Sequence, residues 1–183
     1  MKPSLSLATM SLVACLGLSS LASADVSEFR YLKDAIAASP ILTTFQKVAK
    51  YAYPREWDQI ITRFAPVDGS CSAETSARLA AMSKRDARRF VDEHSILGHF
   101  VVRGSADSSV GKPLDVILLF PMDFSKTIKE GETLNLTSLA KTPITVRIVN
   151  GEVLVGGYKV DRENSVNTDE GAVIAIDGCE ALN

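Results

Sequence analysis

Ile144-Thr145-Val146-Arg147-Ile148-Val149-Asn150-Gly151-Glu152-Val153-Leu154-Val155 decides how this chain folds. Ile144, Val146 and Ile148 alternate with Thr145, Arg147 and Val149, the period of a strand that sends successive side chains to opposite faces. Asn150-Gly151 then supplies two consecutive residues that accept positive φ, which a two-residue hairpin turn requires. Val153-Leu154-Val155 returns, so the segment reads as an antiparallel hairpin. Its neighbours repeat the pattern. Thr133 to Leu139 alternates as a half-buried strand, and Ala172 to Ile176 forms a last strand after a polar excursion, Asp161 to Glu170. Upstream, Ile96 to Val102 reads as one strand closed by Arg103-Gly104-Ser105. Ser105 to Met122 is less regular, and Asp123 to Glu130 reads as a helical turn.

The first half carries a different period. Phe29, Leu32, Ala35 and Ile36 lie on one face of a short helix, which Ser39-Pro40 interrupts because the residue before proline avoids the α region. Ile41, Leu42, Phe45, Val48 and Ala49 restart the helical spacing to about Tyr51. Ile60 to Ala65 is a short β-branched strand stopped by Pro66, and Asp68-Gly69-Ser70 is a turn. An Ala-rich helix runs from Ser72 through Met82. Ser83, with Asp86 three residues on, caps another that ends near His94. Its Arg85, Arg88 and Arg89 read as a solvated face paired with Asp86, Asp92 and Glu93. Helices first and strands afterwards predict an α+β fold with largely antiparallel sheet, the helices lying mainly in the N-terminal half.

The chain has 183 residues, a length that fits a single domain, and its 20 basic and 22 acidic groups lack the basic excess of a nucleic-acid binder. With two histidines and three cysteines, a zinc site made of His and Cys alone is hard to assemble. Apolar content of 46% at a net charge of −2 sets the chain apart from disordered proteins. At the N-terminus, Lys2 precedes an uncharged, largely apolar run from Leu5 to Leu21, and Ala22-Ser23-Ala24 offers the small residues that signal peptidase reads. Residues 1–24 are therefore expected to be a cleaved signal peptide and 25–183 a single secreted or periplasmic domain. A membrane anchor is the alternative, for which 17 residues are short. Leu12-Val13-Ala14-Cys15 also resembles a lipobox, so membrane association is expected only if Cys15 is lipidated. Beyond residue 24 the only cysteines are Cys71 and Cys179. In an oxidising compartment two cysteines usually pair, the alternative being two separate buried thiols.

Four segments, in order, resemble the fasciclin-type domain, an extracellular module of adhesion proteins and of many secreted bacterial proteins. Thr62-Arg63-Phe64-Ala65-Pro66-Val67-Asp68 is similar to the family's early strand motif, and Ile96-Leu97-Gly98-His99-Phe100-Val101-Val102 to its central one. The hairpin at Asn150-Gly151 with Val155-Gly156-Gly157-Tyr158-Lys159-Val160 matches a third region, and Gly171-Ala172-Val173-Ile174-Ala175-Ile176-Asp177-Gly178 the closing one. The resemblance spans about Tyr31 to Leu182. It implies a wedge of largely antiparallel sheet with helices packed on one side. It also makes the first and last motif strands neighbours, which would bring Cys71 and Cys179 together. His99 takes the family's tyrosine position, Phe100 its histidine position, and Val67 replaces a threonine. The resemblance implies that a buried polar contact between the histidine and the first motif is here exchanged for apolar packing.

The sequence holds no Gly-x-Ser-x-Gly elbow beside its serines and histidines, and its glycines fall near hairpin strands rather than before a helix, so neither hydrolase nor phosphate-binding chemistry is expected. His94 is expected to close a helix, where a partly charged ring favours the dipole; His99 is expected to be a core or surface histidine. The polar residues Asp161, Glu163, Asn164, Asn167, Asp169 and Glu170 invite calcium, but a solvated hairpin loop fits their spacing better. Asn135-Leu136-Thr137 is a glycosylation sequon in a eukaryotic secretory pathway. Asp115-Val116-Ile117-Leu118-Leu119-Phe120-Pro121-Met122 stands out. Five successive apolar residues, Val116, Ile117, Leu118, Leu119 and Phe120, read either as a core or edge strand or as an exposed strip for a partner. The expected function is therefore non-catalytic adhesion, without cofactor or metal, to a cell-surface or matrix protein or polysaccharide. The alternative is a carrier of a small apolar ligand or lipid through residues 115–122.

Overall fold

A computed structural model describes residues 29–51, 60–104, 114–119, 125–180 and 182. Four helices, α1 (Leu32–Ala38), α2 (Thr43–Ala49), α3 (Ala73–Ala80) and α4 (Lys84–Glu93), surround the first strand, β1 (Ile61–Pro66). Nine strands follow: β2 (Ser95–Leu97), β3 (His99–Arg103), β4 (Asp115–Leu119), β5 (Ser125–Ile128), β6 (Thr133–Thr137), β7 (Pro143–Val149), β8 (Glu152–Val155), β9 (Tyr158–Thr168) and β10 (Gly171–Ile176). The fold is mixed α+β. A seven-stranded sheet has the order β2-β1-β10-β9-β8-β7-β6, and a three-stranded sheet the order β3-β4-β5. Every strand pair is antiparallel except β1 with β10, which run parallel in register from Ile61 opposite Gly171 to Pro66 opposite Ile176.

That parallel pair is the centre of the molecule, because all six residues of each strand are buried. Phe64, Ala172, Ile174 and Ile176 face an inner core shared with β6, β7, β8 and the three-stranded sheet, while Ile61, Ala65 and Val173 face an outer core built with the helices. Strands buried on both faces lose the apolar–polar alternation that β6 and β7 keep. Each fully buried Phe, Ile or Leu here contributes about 1.5–3 kcal/mol of apolar burial. Gly171 permits the close approach: its φ is +135°, and a Cβ there would overlap the Ile61 backbone. The long sheet also curls. Just past β6, the Leu139 N–H donates to the Ser95 carbonyl of β2 at 2.8 Å, bringing opposite edges of one sheet together.

The local signals explain the helix boundaries. Ser72 Oγ accepts from the Thr75 N–H, and Ser83 Oγ accepts from the Asp86 N–H and donates to its carboxylate at 2.7 Å. Helix α4 carries the expected pairs Arg88–Asp92 and Arg89–Glu93 on its outer side. Asn150 and Gly151 take φ of 53° and 73°, the turn their sequence calls for.

Three expectations are corrected. Ile96 to Val102 is two strands in two sheets, because Gly98 at φ +113° turns the chain between them. The buried Thr62 hydroxyl braces that turn, donating to the Gly98 carbonyl at 2.7 Å and accepting from the Phe100 N–H at 2.9 Å. Ser125–Ile128 is a strand rather than a helical turn, held by pairing with β4. The polar run from Asp161 lies largely within β9, but Arg162, Glu163, Asn164 and Ser165 leave the ladder between Asp161 and Val166, opposite Ile174 alone. Asp161 and Ser165 tie off this excursion through Asn164 and the Ala175 N–H. The apolar exchange implied for Val67 and Phe100 takes another form. Phe100 packs edge-on against Phe64 in the inner core, with ring centres 5.4 Å apart, whereas Val67 packs against the outer one.

Candidate functional site

The strand singled out from sequence is split by its own pleat. Val116 and Leu118 are fully buried in the inner core, Ile117 is half-buried on the other face, and Leu119 is exposed at the end of β4. Phe120 lies outside the described residues, as do Cys15 and the expected signal peptide. Two of the five apolar residues are therefore committed to the core. The remaining exposed one gains company that sequence reading missed.

Ile60, Leu97 and Leu119 expose 38%, 40% and 41% of their surface, and their backbones converge on the Gly98 turn. The Gly98 N–H donates to the Ile60 carbonyl at 2.8 Å, Leu97 precedes it in the chain, and a Cβ on Gly98 would stand 2.8 Å from the Leu119 carbonyl oxygen. The patch continues from Leu97 into a groove of about 350 Å³ lined by Leu136 and Leu139 and flanked by Lys126 and Lys141. The signal for this site was present as a glycine directly after an apolar strand. Only the turn at that glycine, however, brings the chain after Leu97 against the Leu119 backbone.

Cys71 and Cys179 form a disulfide, their Cα atoms 5.2 Å apart across 108 positions of sequence. Each cysteine follows one strand of the central parallel pair, so the bridge staples the ends of β1 and β10.

The two histidines are held differently. His99 Nε2 donates to Asn167 Oδ1 at 3.0 Å, linking β3 to β9. His94 closes α4 as expected, but it is fully buried with its ring over Phe90 at 4.1 Å. Burial pushes its pKa below the ordinary histidine value, against the opposing effects of the Phe90 carbonyl, Glu93 and the Glu180 backbone. Burial thus works against the partly charged ring that the helix-end position suggested. Buried Arg63 donates to Ser95 Oγ at 2.8 Å, and Ser95 in turn donates to the Val91 carbonyl at 2.6 Å, fastening β1 to α4. Burial raises the Asp92 pKa, while Arg88 and Arg63 draw it down.

Among the described residues, no group of three or more His, Cys, Asp or Glu side chains is arranged to hold a metal ion. None of the described helices is long and apolar enough to cross a membrane. No family model matches the chain, and no curated protein matches it.

Proposed function

We propose that this chain is an exported, fasciclin-type binding module that attaches to a cell-surface or matrix component without catalysis. The exposed apolar surface of Leu97 and Leu119 at the Gly98 turn carries the binding in this reading, because large exposed apolar side chains mark an interaction surface. Lys126 and Lys141 beside it favour an anionic partner, a protein or a polysaccharide. Support for the family comes from the adjacency of β1 and β10, the two strands whose sequences resemble its first and last motifs, beneath a helical layer. In that reading the curled long sheet and the short sheet form the family's wedge. Export through the Ala22-Ser23-Ala24 site belongs to the same proposal, and the disulfide is consistent with an oxidising compartment.

The groove next to Leu97 favours a second reading, a carrier of a small apolar ligand or lipid. It would use Ile117 and Leu119 rather than the whole 115–122 segment, since Val116 and Leu118 are packed in the core.

A Leu97→Asp, Leu119→Asp double variant separates these readings from a purely structural role. Purified wild type should be retained on envelope or matrix-coated surfaces, and the variant should lose about tenfold or more in affinity with an unchanged melting temperature. Equal retention of both proteins, or none by the wild type, rejects the adhesion reading. Lipid co-purifying with the wild type and lost from the variant would favour the carrier.

A further inference from the structure

The long sheet curls without closing, and the two edges it leaves can be read residue by residue. At one end, β6 pairs only with β7. The Ser138 N–H donates to the Thr142 carbonyl at 2.8 Å, so Ser138 is a hydrogen-bonded position. Such positions alternate in an antiparallel pair, and the same register sets Leu136 against Ile144 and Leu134 against Val146. Thr133, Asn135 and Thr137 therefore turn their backbone N–H and C=O groups away from the sheet. At the other end, β2 uses its even positions toward β1. The His94 carbonyl accepts from the Phe64 N–H, and the Gly98 N–H donates to the Ile60 carbonyl, both at 2.8 Å. Ser95 and Leu97 thus point their backbone groups outward as well.

The Leu139 N–H donates to the Ser95 carbonyl at 2.8 Å, a start that would set Thr137 opposite Leu97. Among the described residues, no hydrogen bond continues it. Instead Leu97 and Thr137 line the groove of about 350 Å³, together with Asn135, Leu139, Lys126 and Lys141. Strand β6 also lacks the devices that commonly blunt an edge, since Thr133–Thr137 holds neither charge nor proline and pairs regularly with β7. An extended chain laid along it would satisfy the outward row. The two exposed lysines select that chain's charge: a second copy would bring lysines against lysines, whereas an acidic strand meets them favourably. We propose that β6 accepts an extended, acidic segment of a partner protein as an added strand, seated between β6 and Leu97. The inference rests on the binding-module reading and names the partner's class.

Backbone amide NMR on the purified protein tests it, with a short blocked peptide alternating glutamate and valine as the probe. The peptide should shift the amides of Asn135, Thr137 and Leu97 and slow their hydrogen exchange. The same peptide with lysine for glutamate, or N-methylated at alternate amides, should bind about tenfold more weakly. Asn135→Pro removes an outward N–H that β7 does not use, so it should weaken binding about fivefold with little change in melting. Lys126→Glu with Lys141→Glu, both exposed changes, should reverse the preference toward the lysine peptide. Silence toward the glutamate peptide overturns the proposal, as does binding indifferent to N-methylation or to both variants. Self-association without peptide binding would assign the edge to a second copy, and retention on dextran sulfate without peptide binding would assign it to a polysaccharide; either overturns the proposal. Surface retention with a silent peptide removes this site alone, and peptide binding without surface retention removes the apolar-surface reading alone.

Discussion

Thr62 shows how much one hydroxyl can hold. It accepts from the Phe100 N–H and donates to the Gly98 carbonyl, so it satisfies both sides of the turn that separates the two sheets. Valine has nearly the same shape and neither capacity. Thr62→Val should therefore cost about 2 kcal/mol, read as a lower urea midpoint, because two buried backbone groups would be left unmet. From sequence, Thr62 is visible only as a motif letter, and its task depends on a glycine in a turn 36 positions away. His94 teaches the same lesson. Its place at a helix end is legible, but its lowered pKa follows from burial by chain segments that local spacing does not reveal.

Among the elements, α2 depends on a residue it does not contain. Asp68, in the turn after β1, accepts from the Thr43 N–H and hydroxyl at 3.0 and 2.7 Å and from the Thr44 N–H at 2.8 Å, acting as a remote cap for this seven-residue helix. Partial burial works to raise the Asp68 pKa, but the hydrogen bonds from Thr44 and Thr43 outweigh it and hold the carboxyl below its ordinary value. A depressed carboxyl stabilises the fold above its unfolded pKa of about 4, and the contribution fades as pH falls through the folded value. Asp68→Ala should lose about 1 kcal/mol at neutral pH, with the gap to wild type closing in acid, as thermal melts across pH would record. The helices, the Asn150-Gly151 hairpin and β10 were legible because their signals are local. The split at Gly98, strand β5 and the excursion in β9 were not. Pairing partners decide those, and a short polar segment has little preference of its own.

At the scale of the molecule, the adjacency of β1 and β10 organises everything else, and the Cys71–Cys179 bridge fixes it. Breaking that bridge releases a loop spanning 108 positions in the unfolded chain, so replacing both cysteines with serine should lower stability by about 2–5 kcal/mol. Denaturant melts of wild type with and without reductant check this: the reduced wild type should fall to the level of the variant. The bridge also decides how the protein would answer a pull. Tension applied beyond Leu182 passes from Cys179 into Cys71 and leaves through β1, α2 and α1, so helices α3 and α4 and strands β2 to β10 lie outside the load path. Only the roughly 40 residues from Phe29 to Cys71 can pay out, on the order of 150 Å of slack. Pulled from both ends, the molecule would lengthen through its N-terminal segment, β1 and Ile60 included, and keep Leu97 and Leu119 inside the closed loop.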